Sequence, residues 1–176
     1  LCVIPLVAGL VSIALINRKA MSRLVGILSY TLMLGLSLSL VLKITSAPDS
    51  ESILVSQMGG WTAPFGISIV FDSLSGILIC AAATVGLGAY IHSFSVLSPA
   101  TERRYYHPLM QLLMFGVNLS FLTGDLFNLF VAFEIMLMAS YALLTIGGSK
   151  EQLAQAYKYI LLNVLAFLMP RSKRVT

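Results

Sequence analysis

Six long apolar runs, separated by short polar segments, dominate the sequence. A helix rises about 1.5 Å per residue, so about 20 apolar residues cross the hydrocarbon core of a bilayer. The pattern therefore predicts an all-α membrane protein, a bundle of about six transmembrane helices. The predicted spans cover residues 1–16, 24–44, 72–94, 108–123, 125–146 and 152–169.

The connections between these spans contain further local signals. The segment 45–64 is polar and contains Trp61, which is typical of an anchor at the membrane interface. Residues 65–71 alternate in polarity, which favours a short extended segment. Asp72 stands at the start of the third span, where a carboxylate can accept hydrogen bonds from free backbone N–H groups, so we expect a structural cap there.

Basic residues predict which loops face the cytoplasm. The loops after the first, third and fifth spans carry them, whereas Asp49, Glu51 and Asp125 lie in the alternate connections. The positive-inside rule makes the three basic loops cytoplasmic. The tail 170–176 is also basic but would lie outside, against this rule. Either the sixth span does not cross as written or, as we expect, the tail is a non-native end. The basic loop residues are Arg18, Lys19, Arg23, Arg103, Arg104 and Lys150.

Composition supports a membrane protein and excludes a nucleic-acid partner. The chain is 58% hydrophobic and only 10% charged, whereas soluble domains are about 25% charged. The net charge of +4 comes from basic residues in the short gaps between apolar runs. That arrangement is typical of membrane-protein loops, so the expected partner is the lipid bilayer.

Glu134 is a carboxylate near the middle of the fifth span, and it is the main candidate for chemistry. An ionisable group at that depth costs a few kcal/mol, which makes an ion or proton path the default hypothesis. Burial among apolar side chains favours the neutral carboxyl form, so such a group can gain and lose a proton under working conditions. The alternative is a structural ion pair with a Lys or Arg on a neighbouring helix. The residues that share its helical face are Phe127, Phe130, Val131, Leu137, Met138 and Tyr141.

The other polar residues in or near the spans are weaker candidates. Lys158 is the basic residue inside the sixth span, and it either links to Glu134 through water or extends its amine to the cytoplasmic surface. His92 and His107 lie near span ends, where an interfacial polar role competes with a proton relay. Gln111 and Asn118 are expected to bond neighbouring helices. We find no phosphate-binding loop, metal-ligand cluster or nucleophile–base pattern, and therefore expect no cofactor.

The segment around Glu134 resembles a known family. The run YYHPLMQLLMFGVNLSFLTGDLFNLFVAFEIMLMASYALL is similar to the D subunit of Mrp-type multisubunit cation/proton antiporters, and GDLFNLFVAFE is its strongest part. PFGISIVFDSLSG and YKYILLNV also resemble that subunit, so the similarity covers roughly residues 60 to 166. The wider family includes the antiporter-like, proton-pumping subunits of respiratory complex I.

The resemblance implies both a fold and a role for Glu134. The family fold is a larger helical bundle built from two inverted repeats, of which this chain would be the N-terminal part. Glu134 matches the fifth-helix glutamate of the proton half-channel, and Lys158 matches a basic position at the start of the sixth helix. The helix-seven lysine that partners the glutamate has no counterpart here, which implies a truncated part of the bundle.

Three functional hypotheses follow from the sequence and the resemblance. The first is a transporter subunit in the bacterial plasma membrane, which exchanges H⁺ for Na⁺ or another monovalent cation together with other subunits. The second is a proton-pumping membrane subunit of a NADH-quinone oxidoreductase; no redox motif is present, so electron chemistry would belong to its partners. The third is a fragment that is inactive or that serves only in assembly.

Overall fold

The computed structural model describes residues 1–46, 53–58, 66–102 and 105–168, without the side chains of residues 164 and 166–168. Several sequence predictions concern residues outside this part of the chain. They are the interfacial role of Trp61, the loop charges of Asp49, Glu51, Arg103 and Arg104, and the basic tail 170–176.

A helix forms in each of the six predicted spans, with a short additional helix before the fourth. The helix ends differ from the ends of the predicted spans by up to five residues. Arg23, placed in a loop by the sequence, lies inside the second helix, and the sixth predicted span begins at Lys150 rather than at residue 152. The helices are α1 (Val3–Ala14), α2 (Lys19–Thr45), α3 (Ser73–Val96), α4 (Pro99–Glu102), α5 (Tyr106–Leu122), α6 (Leu126–Thr145) and α7 (Lys150–Leu168).

Three of these helices are long and apolar enough to cross a membrane, judged over the part of the chain that the structure describes. They are α2, α3 and α6. Helix α1 is apolar but has only 12 residues. The prediction of about six transmembrane helices therefore stays a prediction, whereas the predominantly helical membrane fold is confirmed.

A two-stranded sheet lies at one end of the bundle, which corrects the expectation of a purely α-helical fold. Strands β1 (Leu54–Gln57) and β2 (Ser68–Phe71) pair antiparallel, with Leu54 opposite Phe71. The extended segment expected within 65–71 is thus confirmed for β2, but β1 lies in a segment predicted as loop. The Gly124 N–H donates to the Ser68 carbonyl at 2.9 Å, which ties the hairpin to the connection between α5 and α6.

Asp72 caps the start of α3 as the sequence predicts. Its carboxylate accepts a hydrogen bond from the Ser75 backbone N–H at 2.7 Å, and the Ser75 hydroxyl accepts one from the Asp72 N–H at 2.9 Å. This reciprocal pair satisfies two otherwise free backbone donors. The cap therefore fixes where the hairpin ends and the long helix begins.

Two buried apolar clusters hold the helices together at different depths. One lies towards the hairpin and includes Phe71, Ile79 and Leu122. The other lies towards the start of α2 and includes Tyr30 and Tyr90. Because successive helices alternate in direction, the starts of α2 and α5 and the end of α3 meet at this second end.

Candidate functional site

Glu134 lies in the interior of α6, eight residues after its first residue, Leu126. At 1.5 Å per residue this places it about 12 Å along the helix. Asp125 positions the start of α6, because its carboxylate accepts a hydrogen bond from the Phe127 N–H at 3.2 Å. Glu134 therefore lies well away from both ends of an apolar helix, as the sequence predicts.

The surroundings of Glu134 are more open than its helical face led us to expect. Glu134 itself is partly buried, but Phe127 on the same face is 73% exposed and Met138 is 62% exposed. The expected burial among its own-face neighbours is therefore only partial in this chain. Within the described residues, Glu134 makes no hydrogen bond and no ion pair. The structural ion pair considered from the sequence is thus not formed among them.

Lys158 lies on α7, the helix that follows α6 along the chain and packs against it. A T-shaped contact between Tyr141 and Tyr159, with ring centroids 5.3 Å apart, joins the two helices. The Lys158 side chain is exposed and makes no ion pair among the described residues. The structure therefore does not bring Lys158 into contact with Glu134.

Two amides on α5 bond to α2, as predicted. The Ser29 hydroxyl donates to the Gln111 side-chain oxygen at 3.0 Å, and the Asn118 amide contacts the Met33 sulfur at 3.0 Å. Gln111 and Asn118 are fully buried. They fix the register of the two helices, and in this respect they are structural.

A buried polar cluster, formed by Arg23, Glu102, His107 and Tyr90, lies at the opposite end from the hairpin. The Arg23 guanidinium donates two hydrogen bonds to the Glu102 carboxylate, at 2.6 and 2.9 Å. Glu102 Oε1 also lies 3.1 Å from His107 Nε2, and His107 Nδ1 lies 2.6 Å from the Tyr90 hydroxyl. Four separate helices, α2, α3, α4 and α5, thus contribute one side chain each.

Charge and burial define the state of this cluster. Glu102 is only 4% exposed and His107 only 5%. The hydrogen bonds from Arg23 hold the pKa of the Glu102 carboxyl below its ordinary value, so this carboxyl group is ionised at neutral pH. A carboxylate accepts only, so neutral His107 carries its proton on Nε2 and accepts from the Tyr90 hydroxyl at Nδ1.

Sequence reasoning did not find this cluster. It assigned Arg23 to a cytoplasmic loop and favoured an interfacial position for His107, whereas His107 is buried in the first turn of α5. Arg23 and Glu102 are 79 residues apart in the sequence, so no local spacing connects them. The available signal was an acidic residue next to basic ones, at Glu102, five residues before a histidine.

Comparison with known proteins finds similarity to antiporter subunits. It is 37% identical over 166 residues to the D subunit of the Na⁺/H⁺ antiporter of Alkalihalophilus pseudofirmus, an alignment that covers 94% of this chain and 33% of that protein. Its fold matches a chain of the Mrp complex of Dietzia sp. with a TM-score of 0.81 and 29% identity, over 93% of this chain and 30% of that one. The resemblance to Mrp-type D subunits is confirmed.

The similarity also has clear bounds. The chain spans about a third of the length of the curated relative described above. A chain of the sulfane sulfur reductase, an archaeal respiratory membrane complex, shares the fold with a TM-score of 0.83 but only 24% identity, over 93% of this chain and 33% of that one. That likeness concerns the fold alone. No family profile matches the chain. The apolar helices and the antiporter relatives together identify a multi-pass membrane protein.

Proposed function

We propose that this chain is part of a subunit of a multisubunit antiporter that exchanges H⁺ for a monovalent cation across a bacterial plasma membrane. The observation that carries the proposal is the 37% identity with the D subunit of a Na⁺/H⁺ antiporter over almost the whole chain. The fold shared with a chain of an Mrp complex supports it, and favours other antiporter subunits as partners. Only a likeness in fold supports the redox-coupled alternative.

Glu134 is the proposed proton carrier. Its position inside α6 keeps the carboxyl group at a depth where a fixed charge is costly, and no cation in the described residues compensates it. A carboxyl group in that position can lower the cost by binding a proton and can release the proton when water or a cation approaches. Cycling between these two forms is what a carrier must do.

Lys158 is the proposed second polar group of the path. It lies on the helix next to α6, and its exposed amine would reach Glu134 only through intervening water. We therefore assign it a lesser role than Glu134. The complete exchange reaction would also need groups from the remainder of the subunit and from its partners, because this chain spans only a third of the relative.

The decisive experiment replaces Glu134 in the intact subunit, expressed with its partner subunits. Everted membrane vesicles with a pH-sensitive dye report proton movement when Na⁺ or K⁺ is added. Glu134→Gln keeps the shape and the hydrogen-bonding capacity of the side chain but cannot cycle a proton. We expect the cation-dependent signal to fall by at least about 100-fold, with normal abundance of the subunit.

A matched control separates the loss of a carboxylate from the loss of this carboxylate. Glu151→Gln makes the same chemical change at an exposed position in the first turn of α7 and should leave transport unchanged. Reduced abundance of the Glu134→Gln protein would point to a structural ion pair instead, since removal of one member of a buried pair is costly. Normal transport by a stable Glu134→Gln protein would refute the proton role.

A further inference from the structure

The buried cluster at the start of α2 is more elaborate than helix packing requires. Arg23 and Glu102 alone would connect α2 to α4, and Arg23 is further held by the Phe94 ring, 4.6 Å from its guanidinium carbon. The cluster nevertheless continues inwards from Glu102 to His107 and Tyr90. Buried polar groups are costly unless satisfied, so each added member needs a physical reason.

The Tyr90 hydroxyl has two acceptors within reach. It lies 2.6 Å from His107 Nδ1 and 3.2 Å from the Ser22 carbonyl oxygen. A hydroxyl group has one proton, so it donates to one of these acceptors at a time. When it donates to Ser22, its oxygen can accept a hydrogen bond from an Nδ1–H. The geometry therefore accommodates both neutral His107 and doubly protonated His107 without an unsatisfied buried group.

We propose that His107 is a proton-binding site, separate from Glu134, in which an imidazolium is held between the Glu102 carboxylate and the Tyr90 oxygen. The neutral ring donates from Nε2 to Glu102 and accepts at Nδ1 from Tyr90. Uptake of one proton from water puts a hydrogen on Nδ1, and the Tyr90 hydroxyl turns to the Ser22 carbonyl. No other group gains or loses a proton, and the charge of the cluster rises by one.

The charges around His107 act in opposite directions. Glu102 from α4 favours the imidazolium, whereas Arg23 and Lys19 from α2, and the positive N-terminal end of α5, oppose it. Tyr90 from α3 and Tyr106 from α5 pack against the ring and are uncharged at neutral pH. Helix α1 has no charged side chain and α6 only Glu134. Burial of the ring has the largest effect and disfavours the imidazolium, and Glu102 is the charge in direct contact that counteracts it.

Access from the aqueous phase is provided at the outer edge of the cluster. The Arg23 side chain is 37% exposed, whereas that of Glu102 behind it is 3% exposed. The cluster thus begins at the surface and ends in the bundle. By the positive-inside rule, this end faces the cytoplasm. The site would therefore exchange protons with the cytoplasmic solution, whether or not Glu134 is the transport carrier.

The chain has two histidines, His92 and His107, so the signal of His107 can be isolated by one substitution. His92 is exposed on α3, so His92→Gln leaves His107 as the single imidazole with little structural cost. We would label histidine with ¹⁵N, place the purified chain in lipid bilayers, and record solid-state NMR spectra from pH 4.5 to 8.5. We expect a neutral ring protonated at Nε2 at high pH, and a doubly protonated ring at low pH.

Two variants should move the titration midpoint of His107 in opposite directions. Glu102→Gln keeps hydrogen-bond acceptance from His107 but removes the favourable charge, so the titration midpoint should fall by about one to three pH units. Arg23→Gln removes an opposing charge, so the midpoint should rise. Circular dichroism verifies that each variant is folded, and Lys43→Gln, at the far end of α2, should leave the midpoint unchanged. A ring that stays neutral throughout this range in the folded His92→Gln protein would overturn the proposal, as would unchanged midpoints in both variants.

Discussion

The contact between α5 and α6 that supports Glu134 depends on Gly116. A Cβ atom added at this position would lie 2.9 Å from the Met136 backbone nitrogen and 3.1 Å from the Ala132 carbonyl oxygen. Both neighbours are backbone atoms of α6, so they cannot turn away as a flexible side chain could. Gly116→Ala should therefore push α6 away from α5 on either side of Glu134.

The magnitude follows from two opposing effects. Overpacking a tight contact costs about 1–3 kcal/mol, and alanine in place of glycine in a helix returns about 1 kcal/mol. Gly88 in α3 is the matched control, because no atom outside its local backbone lies within 4 Å of a Cβ added there. The helix-propensity gain is common to both variants and cancels in the comparison. The free energy of unfolding of Gly116→Ala should therefore be about 1–3 kcal/mol below that of Gly88→Ala.

The assay is unfolding of the purified chain in mixed micelles by increasing fractions of sodium dodecyl sulfate, followed by circular dichroism. In the intact subunit, Gly116→Ala should also reduce cation-dependent proton transport, whereas Gly88→Ala should not. Equal unfolding free energies for the two variants would show that α5 and α6 are not in close backbone contact. In that case the position of Glu134 relative to α5 would also be wrong.

Two further predictions concern orientation and pH. In a background lacking Cys2 and Cys80, a cysteine at the exposed Ser56 should react quickly with an impermeant reagent added outside, and one at the exposed Ser98 slowly; the reverse would overturn the assigned topology. The pKa of Glu102 is lowered in the folded state, so its contribution to stability is complete above the ordinary value of about 4.3 and is lost as the pH falls through the lowered pKa. Glu102→Gln should flatten this acid limb of an unfolding-against-pH curve, and an unchanged limb would contradict it.

Features with a local cause could be predicted from the sequence. The helices follow from runs of apolar residues, and the cap at Asp72 depends on a residue three positions away, Ser75. The bonds from Gln111 and Asn118 to α2 were also predictable in kind, because a buried amide in an apolar helix must find a partner on a neighbour. In each case the physical cause lies within one helix or one turn.

Features that depend on distant parts of the chain could not be predicted in this way. The partner of Arg23 is Glu102, 79 residues further along the chain, and no local pattern connects the two. Strand β1 was missed because its pairing with β2, and not its own polarity pattern, makes it extended. The exposure of Phe127 likewise depends on which side of α6 is packed, which no property of the segment itself determines.

The packed side of α6 is not the side that carries Glu134. The buried residues of this helix are Asn128, Ala132 and Ala139. At about 100° per residue, Glu134 lies more than 100° around the helix from each of them. The side that contacts α5 is therefore not the side that carries the carboxylate. A charge on the other side would meet α7, water or lipid, and lipid is the costly case. A neutral carboxyl group avoids that cost, which is the physical reason behind the proposal that Glu134 carries protons.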